Sequence, residues 1–241
     1  MLADIRFIES ESDLDGALKQ FLTLTQNPAL YYPELVKLGT ASLLASLLSH
    51  ENTDIAVDVI EIIHELTDED VGAGGDELDG EDLDEEDEQK AMQVRMVMAE
   101  LIDELVRSSL PSYTRFLIDR HPRLQQLNNS ILDLLVANLT RLNESEEGDS
   151  RGVHNILGVF ENLFSFMPPL AETVVTDTQL LPWLLQRIAK KEFDSNKQYA
   201  SEILAIIVQQ SIENVAKVLE LDGLESMLGA LAVSCACASQ P

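Results

Sequence analysis

The sequence predicts an all-α protein built from stacked helical repeats, and three observations carry that reading. Apolar residues recur at spacings of three and four along most of the 241 residues, the period of an amphipathic helix. Glycine is sparse, and prolines separate the apolar blocks at Pro28, Pro33, Pro111, Pro122, Pro168, Pro169 and Pro182. A leucine doublet returns in LLASLL from Leu43, LLVANL from Leu134, LLQRI from Leu184 and MLGAL from Met227. Its second members, Leu44, Leu135, Leu185 and Leu228, are separated by 91, 50 and 43 residues. The last two gaps lie near the period of roughly 40–47 residues typical of helical solenoids, and the first is about twice that. No stretch alternates as a half-buried strand would.

Taken in order, residues 1–32 read as capping helices. Residues 33–68 form the first repeat: a short helix PELVKL, a glycine turn, the doublet helix, the polar loop SHENTD and the long helix IAVDVIEIIHEL. In the doublet helix Leu43, Leu44, Leu47 and Leu48 make one stripe; in the long helix Ile55, Val59, Ile62, Ile63 and Leu66 make the next. Residues 69–90 read as an acidic, disordered loop, because Asp76–Glu88 holds ten acids in thirteen residues and such charge opposes burial. Residues 91–170 form a second repeat carrying a Pro-bounded insertion, Leu110–Asn129, and ending in the long helix VHNILGVFENLF. Residues 171–217 form a third, with the loop KKEFDSNK and the long helix YASEILAIIVQQ. Residues 218–232 open a repeat that lacks its long helix, and 233–241 are an atypical tail. A short helix, a turn, a second helix, a loop and a long helix make an armadillo unit. The expected architecture is therefore an armadillo-type right-handed superhelix of stacked three-helix repeats.

Charge narrows the function. Forty-three acids against sixteen bases leave a net charge of −27, and −17 remains without the acidic run. That balance speaks against direct binding of nucleic acid, whose phosphates need Lys and Arg, and favours basic partners. Two cysteines, Cys235 and Cys237, supply no disulfide framework. No secretory signal and no apolar run of membrane-spanning length is visible, so a soluble intracellular protein is expected.

Catalytic and metal signatures are missing. There is no Gly-x-Ser-x-Gly elbow. His64 and His154 lie within long helices, where a histidine is more often structural. GAGG at 72–75 lacks the spacing and the preceding strand of a dinucleotide loop. The acidic run lacks the glycine and ligand alternation of an EF-hand, and the CAC tail has no zinc-spaced partner. No cofactor, no metal and no enzyme activity are expected.

Several stretches resemble the β-catenin-like protein 1 family. PELVKLGTASLLASLLSHENTDIAVDVIEIIHELTD is similar to that family's first armadillo repeat, and ESDLDGALKQFLTLTQNPALY to the helix before it. LNESEEGDSRGVHNILGVFENL and LLPWLLQRIAKKEFDSNKQYASEILAIIVQQSIENVAKVLELDGLESML resemble later parts of the same array. The likeness runs over residues 7–231 apart from 70–90 and 108–129 and corresponds to the amino-terminal part of the array. Relative to the family, a basic leader and later repeats are missing, so a truncated or short form is expected. The resemblance implies a nuclear, spliceosomal protein associated with the nineteen complex, a non-enzymatic scaffold that binds basic segments of splicing factors. An importin-like transport adaptor and a truncated, non-functional form are the alternatives. Partner identity and oligomeric state are not legible.

The resemblance to armadillo arrays also implies where a partner binds. Peptide-binding arrays project a Trp and, four residues on, an Asn from each long helix. Aligning VFENLF puts Asn162 at the Asn position and Gly158 at the Trp position; EIIHEL puts Glu65 and Glu61 there; Glu202 lies on the comparable third helix. The groove residues expected are Glu61, Glu65, Asn155, Glu161, Asn162 and Glu202, with acids in place of a Trp ladder. The glutamates suit Lys or Arg, and the asparagines suit peptide backbone. Trp183, in a doublet helix, is expected in the core.

Overall fold

The computed structural model describes residues 2–71, 85–107, 130–225 and 227–228, and among these every regular element is helical. The all-α expectation is correct. The chain divides into two compact units, Met1–Leu134 and Leu135–Pro241.

In the first unit α1 (Leu2–Phe21) continues through a 3-10 segment (Leu22–Gln26) into α2 (Pro28–Lys37). Pro28 opens α2, where its missing N–H costs nothing. Gly39 then adopts φ +67°, a left-handed value glycine takes without a Cβ penalty, and the chain turns into α3 (Thr40–Leu47). The loop that follows ends in a cap: the Asn52 side chain accepts a hydrogen bond from the Asp54 amide at 3.0 Å and starts α4 (Thr53–Thr67). This helix is the core of the unit. Ile55, Val59, Ile60, Ile62, Ile63 and Leu66 are no more than 2% exposed, and each such side chain contributes roughly 1.5–3 kcal/mol. Around it pack α1, through Leu18, and α3; α5 (Glu85–Arg107) lies along α2 and buries Met98, Leu101, Ile102 and Leu105.

The second unit follows the same logic. Its first helix, α6 (Ile131–Arg141), begins just inside the first unit, where Ser130 and Asp133 exchange amide and side-chain hydrogen bonds in a reciprocal cap. The longest buried stripe belongs to α7 (Glu147–Phe166): Val153, Ile156, Leu157, Val159, Phe160, Leu163 and Phe164. After α8 (Leu170–Asp177) and α9 (Leu180–Ala189), Asp194 caps α10 (Ser195–Gln210) by accepting from the Lys197 amide at 2.8 Å. Ser211 caps α11 (Ile212–Glu220) in the same way. Helix α10 packs on α7 and α9, and α11 packs on α8 and α10.

Several boundaries differ from those read in the sequence. The line between 32 and 33 falls inside α2, because Pro33 costs that helix one hydrogen bond without ending it. Residues 85–90, assigned to the acidic loop, already belong to α5, and 217/218 falls inside α11. Trp183 is half-buried rather than core: its indole N–H donates to the Leu139 carbonyl at 3.2 Å, which keeps one edge of the ring at the surface of the α9 packing. The GAGG segment, most of the acidic run, the 108–129 insertion and the cysteine tail lie outside the described residues.

Candidate partner-binding faces

The face of α4 opposite its core carries Asp54, Asp58, Glu61 and Glu65, spaced by four, three and four, so that the four acids form one stripe. Glu61 and Glu65 are half-buried, and Glu65 Oε1 lies 3.7 Å from His64 Nδ1. Helix α1 runs against this stripe. Lys19 Nζ is 2.6 Å from Asp15 Oδ1, and its ammonium is held above its ordinary pKa by that hydrogen bond and by the charges of Asp15, Asp58 and Glu61. Burial pushes the Asp58 carboxyl up to about 6, and its hydrogen bond with the Asp15 carboxyl pushes the same way. Asp15 is held low, chiefly by Lys19. Asp58 Oδ2 is buried with no hydrogen-bond partner among the described residues. So Glu61 does not look onto an open groove: a lysine of its own chain stands nearby. The sequence reading missed Asp58, although its spacing of three from Glu61 signals a shared face.

A second buried group underlies the same helix. The Tyr32 hydroxyl is enclosed and unpartnered, and burial, with the charges of Glu65 and Asp68, raises its pKa.

In the other unit the face lies on α7 and α10. Tyr199 donates its hydroxyl proton to Glu161 Oε2 in a short hydrogen bond. The Tyr199 ring lies 4.8 Å from the His154 ring, tilted by 50°. His154, Gly158 and Glu161 follow one another along one face of α7. The Tyr199 ring thus meets this face at its first and last residues. His154 Nδ1 is 3.3 Å from Asn196 Oδ1, whose amide nitrogen donates to Glu144 and to the Ser150 carbonyl, so Nδ1 carries the hydrogen.

Beneath this face sits Arg187, 3% exposed. It donates from Nε to Glu144 Oε2 at 2.8 Å and from Nη2 to both oxygens of Asp194 at 2.6 and 2.7 Å. Lys190 adds a 3.0 Å contact to Glu144. Burial works to raise both carboxyls, but hydrogen bonds from Arg187, joined by Lys190 and Asn196 at Glu144 and by the Lys197 amide at Asp194, hold them below their usual range. The cluster ties the loop before α7 to the loop before α10.

The remaining expected residues are placed as follows. Glu202 is exposed and accepts from Gln198 Nε2 at 3.0 Å, one turn beyond Tyr199. Asn162 is half-buried. Asn155 is only 9% exposed, because α7 is covered around most of its girth and residue 155 falls within the buried arc; its amide is not presented to a peptide as expected. The structure bonds Glu161 to Tyr199, which the sequence reading did not single out, and Glu202 follows Tyr199 one turn on along α10. Its loop KKEFDSNK ends two residues before Tyr199, and nothing in the spacing betrays the reach of the ring across α7.

A cleft of about 460 Å³ opens between the starts of α7 and α10, lined among others by Glu144, Ser150, Arg151, His154 and Asn196. Polar residue types line it, and the partner of the His154 imidazole there is an asparagine, not a nucleophile. Among the described residues no group of three His, Cys, Asp or Glu side chains could hold a metal ion, and no helix is long and apolar enough to cross a membrane.

Residues 4–234 match the family model described as catenin-beta-like, Arm-motif containing nuclear. The chain is 35% identical over 229 residues to beta-catenin-like protein 1 of Rattus norvegicus and to that of Homo sapiens, covering 95% of this chain and 33% of each relative. It is 35% identical over 225 residues to the beta-catenin-like protein 1 homolog of Schizosaccharomyces pombe, covering 92% of this chain and 32% of that protein. The chain thus spans about a third of the length of the curated relatives it matches.

Proposed function

The chain belongs to the catenin-beta-like, Arm-motif containing nuclear family, and from that footing we propose that it is a non-enzymatic nuclear scaffold whose acidic helix faces bind Lys- and Arg-rich segments of partner proteins, splicing factors among them, in support of pre-mRNA splicing. The observation that carries this reading is the acid placed on each long helix and left to neutral or histidine neighbours. Glu65 sits beside His64, Glu161 accepts a hydrogen bond from Tyr199, and Glu202 accepts one from Gln198. None of these three has a Lys or Arg partner among the described residues, so each is available to an incoming cation. A chain of net charge −27 also steers basic partners toward it over a distance set by ionic strength.

Titration with a Lys- and Arg-rich peptide tests the reading. Glu202→Gln and Glu161→Gln should each weaken binding by several-fold, and added salt should weaken it further. Binding that ignores both substitutions would place the peptide elsewhere. Capture from nuclear extract tests the splicing assignment: a folded chain that recovers no splicing factor removes it.

A further inference from the structure

The acids on the long helices are not equivalent. Glu202 is exposed and accepts from Gln198 on its own helix. Glu161 is half-buried and is held by the hydroxyl of Tyr199, which reaches it from α10. A carboxylate offers about four acceptor positions and this bond takes one. The tyrosine is itself fixed from its other side. Its ring lies 4.8 Å from the ring of His154, and His154 Nδ1 bonds Asn196 Oδ1 at 3.3 Å. Asn196 in turn donates to Glu144 at 3.2 Å and to the Ser150 carbonyl at 2.9 Å, and Glu144 is anchored on buried Arg187. A half-buried carboxylate and a half-buried aromatic ring are thus fixed to each other before any partner arrives, so little ordering is left for binding to supply.

We propose that Glu161 and Tyr199 form a subsite that takes arginine in preference to lysine, the guanidinium paired with Glu161 and packed on the Tyr199 ring. The subsite rests on the reading of this face as a site for basic segments and adds which basic residue it selects. Three properties favour arginine. A guanidinium is more weakly hydrated than an ammonium, so it loses less on entering a half-buried position. It is planar and stacks on an aromatic ring, where an ammonium has no flat face to offer. Its forked donors match the shape of a carboxylate, whereas an ammonium acts as a point charge. Glu202, exposed to water beside a glutamine, makes no such demand and should take either cation.

Two peptides of equal length and spacing test the subsite by titration against the full chain, one with lysine and the other with arginine at every basic position. Wild type should bind the arginine peptide about fivefold more tightly. This ratio needs no substitution, and equal affinities overturn the subsite while the proposed function stands. Binding of neither peptide removes the proposed function and the subsite with it. Tyr199→Leu takes away the ring and should bring the ratio close to one, chiefly by weakening the arginine peptide. Glu161→Gln keeps the volume and removes the charge, so it judges the subsite even where Tyr199→Leu fails to fold; its ratio should also fall close to one. A preference that survives either substitution in a folded chain would belong to the surface at large and overturn the proposal. Glu202→Gln should weaken both peptides by the same factor and leave the ratio as in wild type; loss of the preference there would move the selectivity to Glu202 and equally overturn it.

Discussion

In the amino-terminal unit Asp58 faces another acid, Asp15, and burial pushes its carboxyl up; in the carboxy-terminal unit Glu144 and Asp194 face Arg187 and share a cation. Both clusters join neighbouring elements in a strongly acidic chain. What stands opposite decides the sign of the pKa shift, upward for Asp58 and downward for Glu144 and Asp194. The contrast teaches that surplus acid can serve as a firm joint or as a loose one. A buried arginine makes the joint firm near neutral pH. Asp58, facing an acid, contributes stability that is lost as pH rises through about 6.

The largest test of this contrast is Arg187→Ala. It removes the buried cation that joins Glu144 to Asp194 and leaves only the exposed Lys190 beside them, and the carboxy-terminal unit should lose about 3–5 kcal/mol in denaturant unfolding. A loss below about 1 kcal/mol would mean that both acids simply turn to water, and the two joints would not differ in kind. Asp58→Asn, by comparison, should stabilise the amino-terminal unit slightly at neutral pH.

Acid titration separates the units by direction. The contribution of Glu144 and Asp194, whose folded pKa values are depressed, is present above their unfolded values near 4 and is lost as pH falls through the folded ones. That of Asp58, whose folded value is raised, is fully present below its unfolded value of 3.8 and is lost as pH rises through about 6. Trp183 fluorescence reports the first, and hydrogen exchange on α1 and α4 reports the second. Parallel slopes in the two units would break the contrast. Asp58 retains enough exposure for solvent screening to temper its effect.

The two glycine turns sharpen the comparison at the next level. A Cβ on Gly39 would meet nothing within 4 Å, so Gly39→Ala should cost about 1–2 kcal/mol through its positive φ alone. A Cβ on Gly223 would lie 2.6 Å from Val218 Cγ1 and 2.7 Å from the Val218 carbonyl oxygen. There the left-handed residue is Asp222, at φ +53°, and Gly223→Ala should cost about 1–3 kcal/mol through the clash. Thermal melts of both variants check the pair.

The smallest effects come from two tyrosines. Tyr199→Phe removes the hydroxyl that Glu161 accepts from and should cost about 0.5–1.5 kcal/mol. Tyr32→Phe removes an enclosed hydroxyl without a partner, so it should be neutral or mildly stabilising. A clear loss from Tyr32→Phe in a melt would reveal a buried partner such as water.

Much of the helical layout was legible because it is local. The stripe of Ile55, Val59, Ile62, Ile63 and Leu66 repeats at the helix period, and these residues are the core of α4. Asn52 and Asp194 end polar loops and act as caps there. Pro33 misled because one missing hydrogen bond does not end a helix whose other side is packed. The face was harder to read. Glu61 was found by register, but its neighbour Lys19 comes from a helix far upstream in sequence. Asn155 was taken as exposed because the register of α7 does not say how much of its girth is covered. Arg187 gave no signal, since its partners Glu144 and Asp194 lie 43 residues before it and seven after it and match no motif.

The Tyr199 ring, set against His154 and bonded to Glu161, makes one surface the joint product of two consecutive long helices. Its place depends on the length of the chain between Arg187 and Tyr199 as much as on any acid. Inserting or removing one residue there would swing the tyrosine about 100° around its helix and leave Glu161 bare. The face that α7 and α10 present can therefore change through a connecting loop while every side chain on it stays the same.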